Sequence, residues 1–394
     1  MASPFLLPVA EAQARLIALA PTIATESVPL LSAAGRYLRE PVIARRTQPE
    51  ADLSAMDGYA IRFDDMPGPW RVIGESAAGH GFDGSIAISE AVRIFTGAPL
   101  PPGADTVLVQ EEAAREGEAL HLAGEGPPHR TRNVRPRGLD FHAGDTLAAR
   151  GDALTAARLA LIATGGARAV TVTRPVRIAL AATGDELVEP GGDASGLPES
   201  NRLMLRAMLE GLPVEFVDLG ILPDRLEVLR DAFAAVTADI LVTTGGASVG
   251  DHDLVRPALE AAGAAIDFWR IALRPGKPMM AGRRGDCMVI GLPGNPVSAF
   301  VTGLLFVRPL AAAIAGARDP LPRITRAILG EPLPTNGDRT DYIRAELRDG
   351  LLYAAAIQDS SMLATLARAN CLIVREPYAP AARTGESAEI LVIA

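Results

Sequence analysis

The sequence has few cysteine, histidine and aromatic residues for its length. Two cysteines among 394 residues cannot form a disulfide framework or a thiolate metal site, and the five histidines show no H-x-x-x-H spacing, so zinc chemistry is not supported. Aromatic residues make up 4% of the chain, too few for the stacking surfaces of a single-stranded nucleic-acid binder. The net charge of −9 argues against duplex nucleic acid and anionic membranes as partners.

The chain also lacks an uninterrupted membrane-spanning run. Its most apolar stretch, Val297 to Gly316, is broken by Arg308 and Pro309, which predicts a buried helix. The first residues lack a basic segment followed by a long apolar core, so we expect no signal peptide and a cytoplasmic location. Cys287 and Cys371 lie in apolar runs and are predicted to be core residues on strands.

What is abundant is glycine (38) and proline (31), together with 48% apolar residues. A single core stops growing near ~250 residues, so several globular domains are expected. Helical spacing predicts a first helix over Val9–Ala20 and another short helix after Ser32. Between Thr47 and Asp140, short β-type runs separated by Gly/Pro clusters predict a β-rich insert.

The pattern then changes twice more. A helix over Thr155–Thr164, capped by Thr155, is followed by an alternating strand. After Pro175, near-continuous apolar runs alternate with helical stretches, which predicts a three-layer α/β domain with a mostly parallel sheet. From about Pro320 the pattern is β again, with a short helix near Ser361, and predicts a small terminal barrel or sheet.

Three loops of the predicted α/β domain carry unusual residues. Ligands of an open parallel sheet bind beyond the carboxyl ends of its strands, and these loops (182–187, 243–253 and 292–299) all leave such ends. Their glycines would let the backbone approach a ligand, and helix starts could cradle phosphate. A single loop of this kind would be an ordinary tight turn; three at one sheet edge favour a site. The P-loop motif is absent, because Gly276 and Lys277 are followed by proline.

Cations and carboxylates accompany these loops. Alternation along one strand would put Arg270 and Arg274 on a common face, with Lys277 in a Pro-Gly turn beyond them, which suggests an oxyanion clamp rather than solvated surface charges. The carboxylates of the same loops, Asp185, Glu186, Asp251 and Asp253, suit Mg²⁺ beside a phosphate.

Helix capping is the competing interpretation of two acidic residues, Asp224 and Asp253, and is compatible with catalysis. In the β-rich insert, Asp57, Thr96 and Asp140 are predicted to lie in Gly/Pro-bounded turns. A D-G hairpin turn is the simple interpretation of Asp57 and Gly58.

Seven motifs occur in a fixed order along nearly the whole chain: S-A-M-D-G-Y-A, R-I-F-T-G-A-P-L-P-P-G-A-D, N-V-R-P-R-G-L-D, A-T-G-D-E-L, G-G-A-S-V-G-D-H-D, R-P-G-K-P and G-L-P-G-N-P-V-S. In this set the sequence resembles the MoeA/gephyrin E-domain family, the molybdopterin molybdenumtransferases. The resemblance implies a four-domain dimer with a MogA-like α/β domain. It also implies Mg²⁺-dependent insertion of molybdenum from molybdate into adenylylated molybdopterin, with release of AMP.

Motif alignment carries the expected catalytic roles to Asp57, Thr96, Asp140, Glu186, Asp224 and Asp253, with Glu186 and Asp253 as Mg²⁺ ligands. The expected substrate-binding residues are Gly245, Gly246, Ser248, Arg270, Arg274, Lys277, Pro293, Asn295 and Pro296. Arginine stands at 270 and 274 where the family commonly has lysine; it keeps the charge and adds a fork suited to oxyanions. The Val-to-Ala change at Ala247 and the loss of an acidic residue at Leu139 are further departures from the family pattern.

The expected domains are a mixed, dimerising linker domain (25–43 and 143–174), a β-rich domain (44–142), the MogA-like domain (1–24 and 175–319) and a C-terminal β-barrel-like domain (320–394). A homodimer is expected, together with a MogA-type molybdopterin adenylyltransferase and molybdoenzyme maturation factors as partners. Two alternatives remain open: a non-catalytic scaffold, and a nucleotide pyrophosphatase or molybdopterin-binding sensor built on the same domain.

Overall fold

The structure, a computed structural model, describes residues 6–192, 196–245, 254–276 and 279–393. The α-helices among them are α1 Val9–Ala18, α2 Ala156–Thr164, α3 Asn201–Leu209, α4 Leu226–Ala234, α5 Val255–Ala261, α6 Pro296–Thr302, α7 Arg308–Ala315 and α8 Leu363–Arg368.

The strands of the first half of the chain are β1 Thr25–Pro29, β2 Val42–Ile43, β3 Leu53–Ser54, β4 Gly58–Ile61, β5 Trp70–Ser76, β6 Glu90–Ile94, β7 Thr106–Val109, β8 Ala113–Glu116, β9 Ala119–Leu122, β10 Val134–Arg135, β11 Thr146–Ala148 and β12 Ala169–Thr173. Those of the second half are β13 Val176–Thr183, β14 Leu187–Val188, β15 Leu197–Pro198, β16 Val214–Leu222, β17 Ile240–Thr244, β18 Ala265–Trp269, β19 Leu273–Arg274, β20 Met279–Arg284, β21 Cys287–Leu292, β22 Ile324–Leu329, β23 Thr340–Arg348, β24 Leu351–Ala354, β25 Cys371–Arg375 and β26 Ser387–Val392.

A small mixed region is assembled from two distant parts of the chain. Strand β1 pairs antiparallel with β12, and β2 pairs with β11. The Thr155 hydroxyl accepts a hydrogen bond from the Arg158 N–H at the start of α2, so the predicted cap is confirmed. The helix predicted after Ser32 is wrong: a 3-10 turn, Leu30–Ser32, ends there, and Gly35 follows with a left-handed φ of +74°.

The β-rich insert forms a six-stranded sheet in the order β7-β4-β6-β5-β9-β8. Four of its strands, β5, β6, β7 and β9, lie in the runs predicted from the sequence. Strand β4 was not predicted, although it is wholly buried and pairs with both β6 and β7. It is only four residues long and follows the turn that carries Asp57, so its periodic signal is short.

The α/β domain is built on a sheet in the order β16-β13-β17-β21-β20-β18. The first four strands are parallel, as predicted, whereas β20 runs antiparallel to both of its neighbours. Alternate residues of β13 enter different cores: Ile178 and Leu180 pack in one with α1, α3 and α7, while Ala179 and Ala181 pack in another with α4 and α5. Helices therefore cover both faces of the sheet.

The long apolar helix is a core element, as predicted. Helices α6 and α7 are joined by a π-helical turn, Gly303–Val307, into one helix that is long and apolar enough to cross a membrane by composition alone. Its most apolar window is 83% buried inside the protein, which is typical of a soluble core helix. Cys287 and Cys371 are buried on strands, as predicted, and burial raises the pKa of each thiol to about 11.

The C-terminal strands close on themselves. Strand β23 pairs with both β24 and β25, β22 pairs with β24 and β26, and β25 pairs with β26, so the sheet forms the predicted small barrel. Strand β19, from the α/β part of the chain, pairs with the barrel through β23. The barrel thereby holds β19, which carries the candidate residue Arg274. The chain as a whole is a multidomain α/β and β protein.

Candidate functional site

The parallel strands β13, β16, β17 and β21 end at one edge of the α/β sheet, and the candidate residues cluster there. The loops that leave this edge include residues 184–186, 223–225, 245 and 293–295. Sequence reasoning predicted three of these loops. The one after β16 adds Asp224 to the same edge.

Three carboxylates meet where the loops after β13 and β16 approach each other. The backbone N–H of Asp224 donates a hydrogen bond to Oδ1 of Asp185, at 3.1 Å. Partial burial, followed by the charges of Asp185 and Glu186, raises the pKa of Asp224. Its side chain does not cap α4, so the capping interpretation of Asp224 is wrong. The cluster carries negative charge that its own residues do not neutralise.

Glycines let these loops approach one another. Gly245 has a left-handed φ of +89°, and a Cβ built there would lie 2.5 Å from the carbonyl oxygen of Thr183. Its N–H donates to the carbonyl of Leu292. Gly184 also has positive φ, and a Cβ there would lie 2.7 Å from the Glu186 carboxylate. The predicted substrate residue Gly245 is thus required where three strand ends meet.

The loop with Pro293, Asn295 and Pro296 is held from both sides. The side-chain amide of Asn201, at the start of α3, donates to the carbonyl of Gly294 at 2.7 Å. From the barrel domain, Ser360 accepts hydrogen bonds from the Asn295 amide and, through its carbonyl, from the N–H of Val297. Pro296 is the first residue of α6, where no N–H is needed. Pro293 is buried.

Buried polar atoms without partners lie close to this edge. The hydroxyls of Thr183 and Thr243 and the Oδ1 of Asn201 have no hydrogen-bond partner among the described residues. Thr183 is the last residue of β13, Thr243 lies one residue before the end of β17, and Asn201 holds the loop after β21. Buried polar groups of proteins are normally paired, so unpaired ones that cluster at a sheet edge suit a polar ligand.

The two candidate arginines do not lie on one face of one strand, which corrects the alternation argument. Strand β18 ends at Trp269, and the backbone at Arg270 is bonded instead to Leu7, whose N–H donates to the Arg270 carbonyl at 2.8 Å. Arg274 belongs to β19, in the barrel sheet, and its guanidinium pairs with Asp341. That hydrogen bond raises the pKa of Arg274. Arg270 is exposed and forms no ion pair within the described residues.

In the β-rich insert, Asp57 and Thr96 are brought into contact. Oδ1 of Asp57 accepts hydrogen bonds from the Thr96 N–H at 2.7 Å and from its hydroxyl at 2.9 Å, and these bonds hold the pKa of Asp57 below its usual range. Asp140 is exposed in a neighbouring turn and its N–H donates to the Gln48 carbonyl. Across the described parts of the chain, no hydrogen bond or ion pair joins these three residues to the acidic cluster.

Five predicted site residues, Gly246, Ser248, Asp251, Asp253 and Lys277, lie outside the described residues. Within the described ranges, no group of three or more His, Cys, Asp and Glu side chains is arranged to hold a metal ion by itself. The donor set nevertheless fits Mg²⁺, because this ion binds through one or two carboxylates and completes its shell with water and substrate phosphate. Glu186, Asp185 and Asp224 supply hard oxygen donors and excess negative charge.

Several residues of this edge were missed from the sequence. Asn201 starts a predicted helix and carries no motif of its own, and Ser360 and Asp341 come from the barrel domain, 65 and 67 residues from their partners. Only Asp185 could have been identified as a partner of Asp224, since it lies beside Glu186 in the same loop. The others depend on contacts between distant segments, which local spacing does not reveal.

Three family profiles match the chain in order. They are the MoeA N-terminal region (domain I and II) over residues 7–166, a probable molybdopterin binding domain over 179–313 and the MoeA C-terminal region (domain IV) over 326–393. A molybdopterin molybdenumtransferase of Haemophilus influenzae is 35% identical over 93% of this chain and 93% of its own length. One from a Nostoc species is 34% identical over 89% of this chain and 84% of its own.

The fold is similar to that of solved structures as well. The crystal structure of a molybdopterin biosynthesis moeA protein from Pyrococcus horikoshii matches with a TM-score of 0.85 and 26% identity, covering 99% of this chain and 100% of that one. The similarity therefore extends over all the domains rather than over the α/β part alone.

Proposed function

The chain belongs to the MoeA family, and on that premise we propose that it inserts molybdenum from molybdate into adenylylated molybdopterin and releases AMP in an Mg²⁺-dependent reaction. As a member of that family it is a molybdopterin molybdenumtransferase, an enzyme of molybdenum cofactor biosynthesis. The adenylylated substrate, the metal and the AMP product are the finer parts of the proposal. The observation that carries them is the set of three carboxylates beside glycine-bounded loops at one sheet edge.

The glycine loops are suited to the phosphate part of the substrate. Gly245 brings the backbone after β17 against Thr183, and Pro296 opens α6 beside it. A helix start and loop N–H groups attract phosphate oxygens, because the helix dipole and unpaired amides favour negative charge. The unpartnered hydroxyls of Thr183 and Thr243 add donors for such a ligand.

The acidic cluster would hold the cation. We assign Glu186 and Asp253 as the metal ligands. Asp185 and Asp224 lie near Glu186, so their negative charges would also attract the cation. When bound, Mg²⁺ would neutralise charge on the phosphate oxygens as AMP leaves. The protein's own part is to hold the carboxylates close together beside the glycine loops.

Molybdate would be bound by cations on the other side of the edge. Arg270 is exposed and forms no ion pair within the described residues, so its fork is available to an oxyanion, whereas the charge of Arg274 is shared with Asp341. We therefore propose Arg270, helped by Lys277, as the principal molybdate ligand. Arg274 has a supporting role.

Asp57, Thr96 and Asp140 are proposed to act on the active site of the partner subunit in a homodimer. The argument is that no described contact joins them to the acidic cluster of their own chain, although the family motifs assign both groups to one reaction. Mixing an Asp57→Ala variant with a Glu186→Ala variant should restore part of the activity in heterodimers. No rescue in the mixture would reject a shared cleft.

The proposed partners and the proposed location follow from the reaction. A MogA-type adenylyltransferase would supply the adenylylated substrate, and molybdoenzyme maturation factors would receive the product, both in the cytoplasm. Their binding is measurable by pull-down of purified proteins with and without molybdate.

The decisive experiment is AMP release from adenylylated molybdopterin, with and without molybdate. We expect AMP release to require both molybdate and Mg²⁺. Hydrolysis that ignores molybdate would indicate a pyrophosphatase, and no turnover would indicate a sensor or scaffold. The metal content of the product, measured after reaction with equal concentrations of molybdate and tungstate, then determines which oxyanion the site prefers.

A further inference from the structure

Arg202 is a buried cation that none of the family motifs includes. Its side chain is 8% exposed, and its guanidinium binds three carboxylates from three segments of the chain. Nε donates to Glu199 at 3.0 Å, one terminal nitrogen donates to both oxygens of Glu189 at 2.7 and 2.8 Å, and the other donates to Asp218. Only an arginine fork has enough donors in one plane for such a set.

The first of these contacts restrains the loop that carries Asp185 and Glu186. Glu189 lies three residues after Glu186, at the end of the short strand β14. The Glu186 carbonyl accepts a hydrogen bond from the N–H of Leu197 at 2.8 Å, in the equally short β15. Two-residue strands are weak by themselves, so the ion pair of Glu189 with Arg202 is a further anchor of this loop beside the backbone bonds of β14 and β15.

The second contact restrains the path to Asp224. Asp218 lies on β16, where the register with β13 shifts, and its Oδ1 also accepts the N–H of Gly220 at 2.9 Å. Gly220 has a left-handed φ of +72°. The strand ends at Leu222, two residues before Asp224, so Arg202 holds the irregular part of the strand that delivers this carboxylate.

The third contact joins Arg202 to the loop after β21. Glu199 is 3% exposed and accepts the N–H groups of both Asn201 and Arg202 at the start of α3. Asn201 in turn donates to the Gly294 carbonyl at 2.7 Å. A buried carboxylate requires a paired cation, so Glu199 and Arg202 form a unit on which the helix start depends.

We propose that Arg202 is a positioning residue that sets the Asp185–Glu186 loop, Asp224 and the loop after β21 relative to one another. It does not touch the reacting groups itself. The inference rests on the proposed function only in its consequence, namely that the positioned carboxylates bind a divalent cation. Loss of a group that is hydrogen-bonded to a metal ligand typically changes metal affinity by about 10–100-fold, and Arg202 lies one contact further out, so we expect the lower end of that range.

The role of each arm is tested separately by hydrogen–deuterium exchange of the full chain. Glu189 and Asp218 are more than half exposed, so their alanine variants should fold. We expect Glu189→Ala to speed exchange at Leu197 by at least about tenfold, with a smaller rise at Asp224 because the acceptor of its N–H is Asp185 in the same loop. We expect Asp218→Ala to speed exchange at Asp224 and to leave Leu197 unchanged. Both amides are hydrogen-bonded in the structure.

The whole unit is tested with Arg202→Met and Arg202→Lys. The surface pair of Arg256 with Glu260 supplies the control variant Arg256→Met. With Mn²⁺ alone as the probe and electron paramagnetic resonance as the measurement, we expect the Kd to rise about tenfold in Arg202→Met, less in Arg202→Lys, and not at all in the control. If Arg202→Met fails to fold, the two single-arm variants are titrated with Mn²⁺ in its place.

Unchanged exchange at Leu197 and Asp224 in the single-arm variants would overturn the proposal. So would exchange that rises equally over the whole chain, because this would indicate a purely structural ion network. These readouts need no substrate. A wild-type protein that releases no AMP would therefore reject the proposed function and leave the role of Arg202 to be decided by exchange.

Discussion

Asp57 and Asp224 are both candidate catalytic aspartates, yet their surroundings shift their pKa values in opposite directions. Asp57, in the β-rich insert, accepts two hydrogen bonds from Thr96, which lower its pKa. Asp224, at the edge of the α/β sheet, is partly buried and faces Asp185 and Glu186, which raise its pKa. The first carboxylate is stabilised as an anion by its neighbours, and the second is destabilised by them.

The opposite shifts of the two pKa values indicate two different roles. A carboxylate fixed by hydrogen bonds keeps its charge and direction, as suits a group that orients a substrate or a cationic neighbour. Binding of a cation relieves the repulsion between neighbouring carboxylates, so the sheet edge is the part of the molecule that a divalent metal should stabilise. The overall charge of −9 conveys neither fact, because it sums over the whole chain.

The largest expected effect comes from replacing Gly245 with alanine. The new Cβ would meet the Thr183 carbonyl at 2.5 Å, and the left-handed φ would be strained as well. We expect the free energy of unfolding to fall by about 3 kcal/mol and AMP release to fall at least ~100-fold, because the loops at the acidic edge must move apart. Urea unfolding and the AMP assay measure the two effects.

Gly263→Ala is the matched control for backbone strain. Gly263 has nearly the same φ, +87°, but a Cβ there would have no atom within 4 Å. It should cost only about 1 kcal/mol and leave AMP release unchanged. Equal losses in the two variants would contradict a role for close approach at Gly245.

The next largest effect is expected for Asp224→Asn, which should lower activity and raise stability. AMP release should fall about 100-fold, as for loss of a catalytic carboxylate. Because the folded state raises the pKa of Asp224, its repulsion is fully present above that raised pKa and disappears below the unfolded value near ~3.9. The variant should therefore unfold at higher urea than wild type at pH 7, and the gain should vanish near pH 3.

Added Mg²⁺ provides the internal control for that prediction. It should raise the thermal unfolding midpoint of the wild-type protein more than that of Asp224→Asn. Equal shifts of the unfolding midpoint in both proteins would indicate that the cation binds away from Asp224. The proposed difference in role between Asp224 and Asp57 would then be wrong.

Sequence patterns predicted the elements with long apolar runs well. Strands β13, β17 and β21 are nearly continuous apolar segments, and their loops gave three of the four components of the sheet edge. Strand β20 was missed because its run ends in Gly282, Arg283 and Arg284, which does not look like a core strand. The family motifs then identified the α/β and β fold beyond what periodicity alone supports.

Contacts between distant segments could not be predicted in the same way. Arg270 and Arg274 have the spacing of one strand face, but pairing with Leu7 interrupts the strand and the barrel takes Arg274. Whether a charge is free or paired is decided by such contacts. Arg202 carries no motif at all, and its importance is visible only when Glu189 and Asp218 are seen to converge on it.

A smaller effect is expected at Asp57. Thr96→Ala removes the hydroxyl donor and keeps the backbone N–H, so the pKa of Asp57 should rise toward its ordinary value. A lowered folded pKa contributes stability above the unfolded value that is lost as the pH falls through the folded pKa, so the variant should lose less stability than the wild type on acidification from neutral pH. Carbon-13 NMR of the Asp57 carboxyl measures the shift.

Thr96→Ser keeps the hydroxyl and is the control for that change. It should leave the pKa of Asp57 as in wild type, and AMP release in Thr96→Ala should fall by less than about tenfold because one donor remains. A pKa that does not respond to loss of the hydroxyl would attribute the lowering to the Thr96 N–H, which both variants keep, with Arg93 as the smaller contribution.

The smallest effect is expected where a charge of the site is already paired. Asp341→Asn removes the carboxylate that shares the charge of Arg274, whose side chain is 59% exposed. The carboxylate of Asp341 is buried while the guanidinium of Arg274 lies largely in solvent, so we expect a loss of stability of about 1 kcal/mol. The freed guanidinium should raise molybdate affinity by about two- to fivefold, which is roughly the same energy. Isothermal titration with molybdate measures it, and Asp338→Asn, which removes a carboxylate that acts on Arg274 without a hydrogen bond, should have the smaller effect. Weaker binding in Asp341→Asn would show that Asp341 orients Arg274 for the anion, and Arg274 would then be a direct ligand on a par with Arg270.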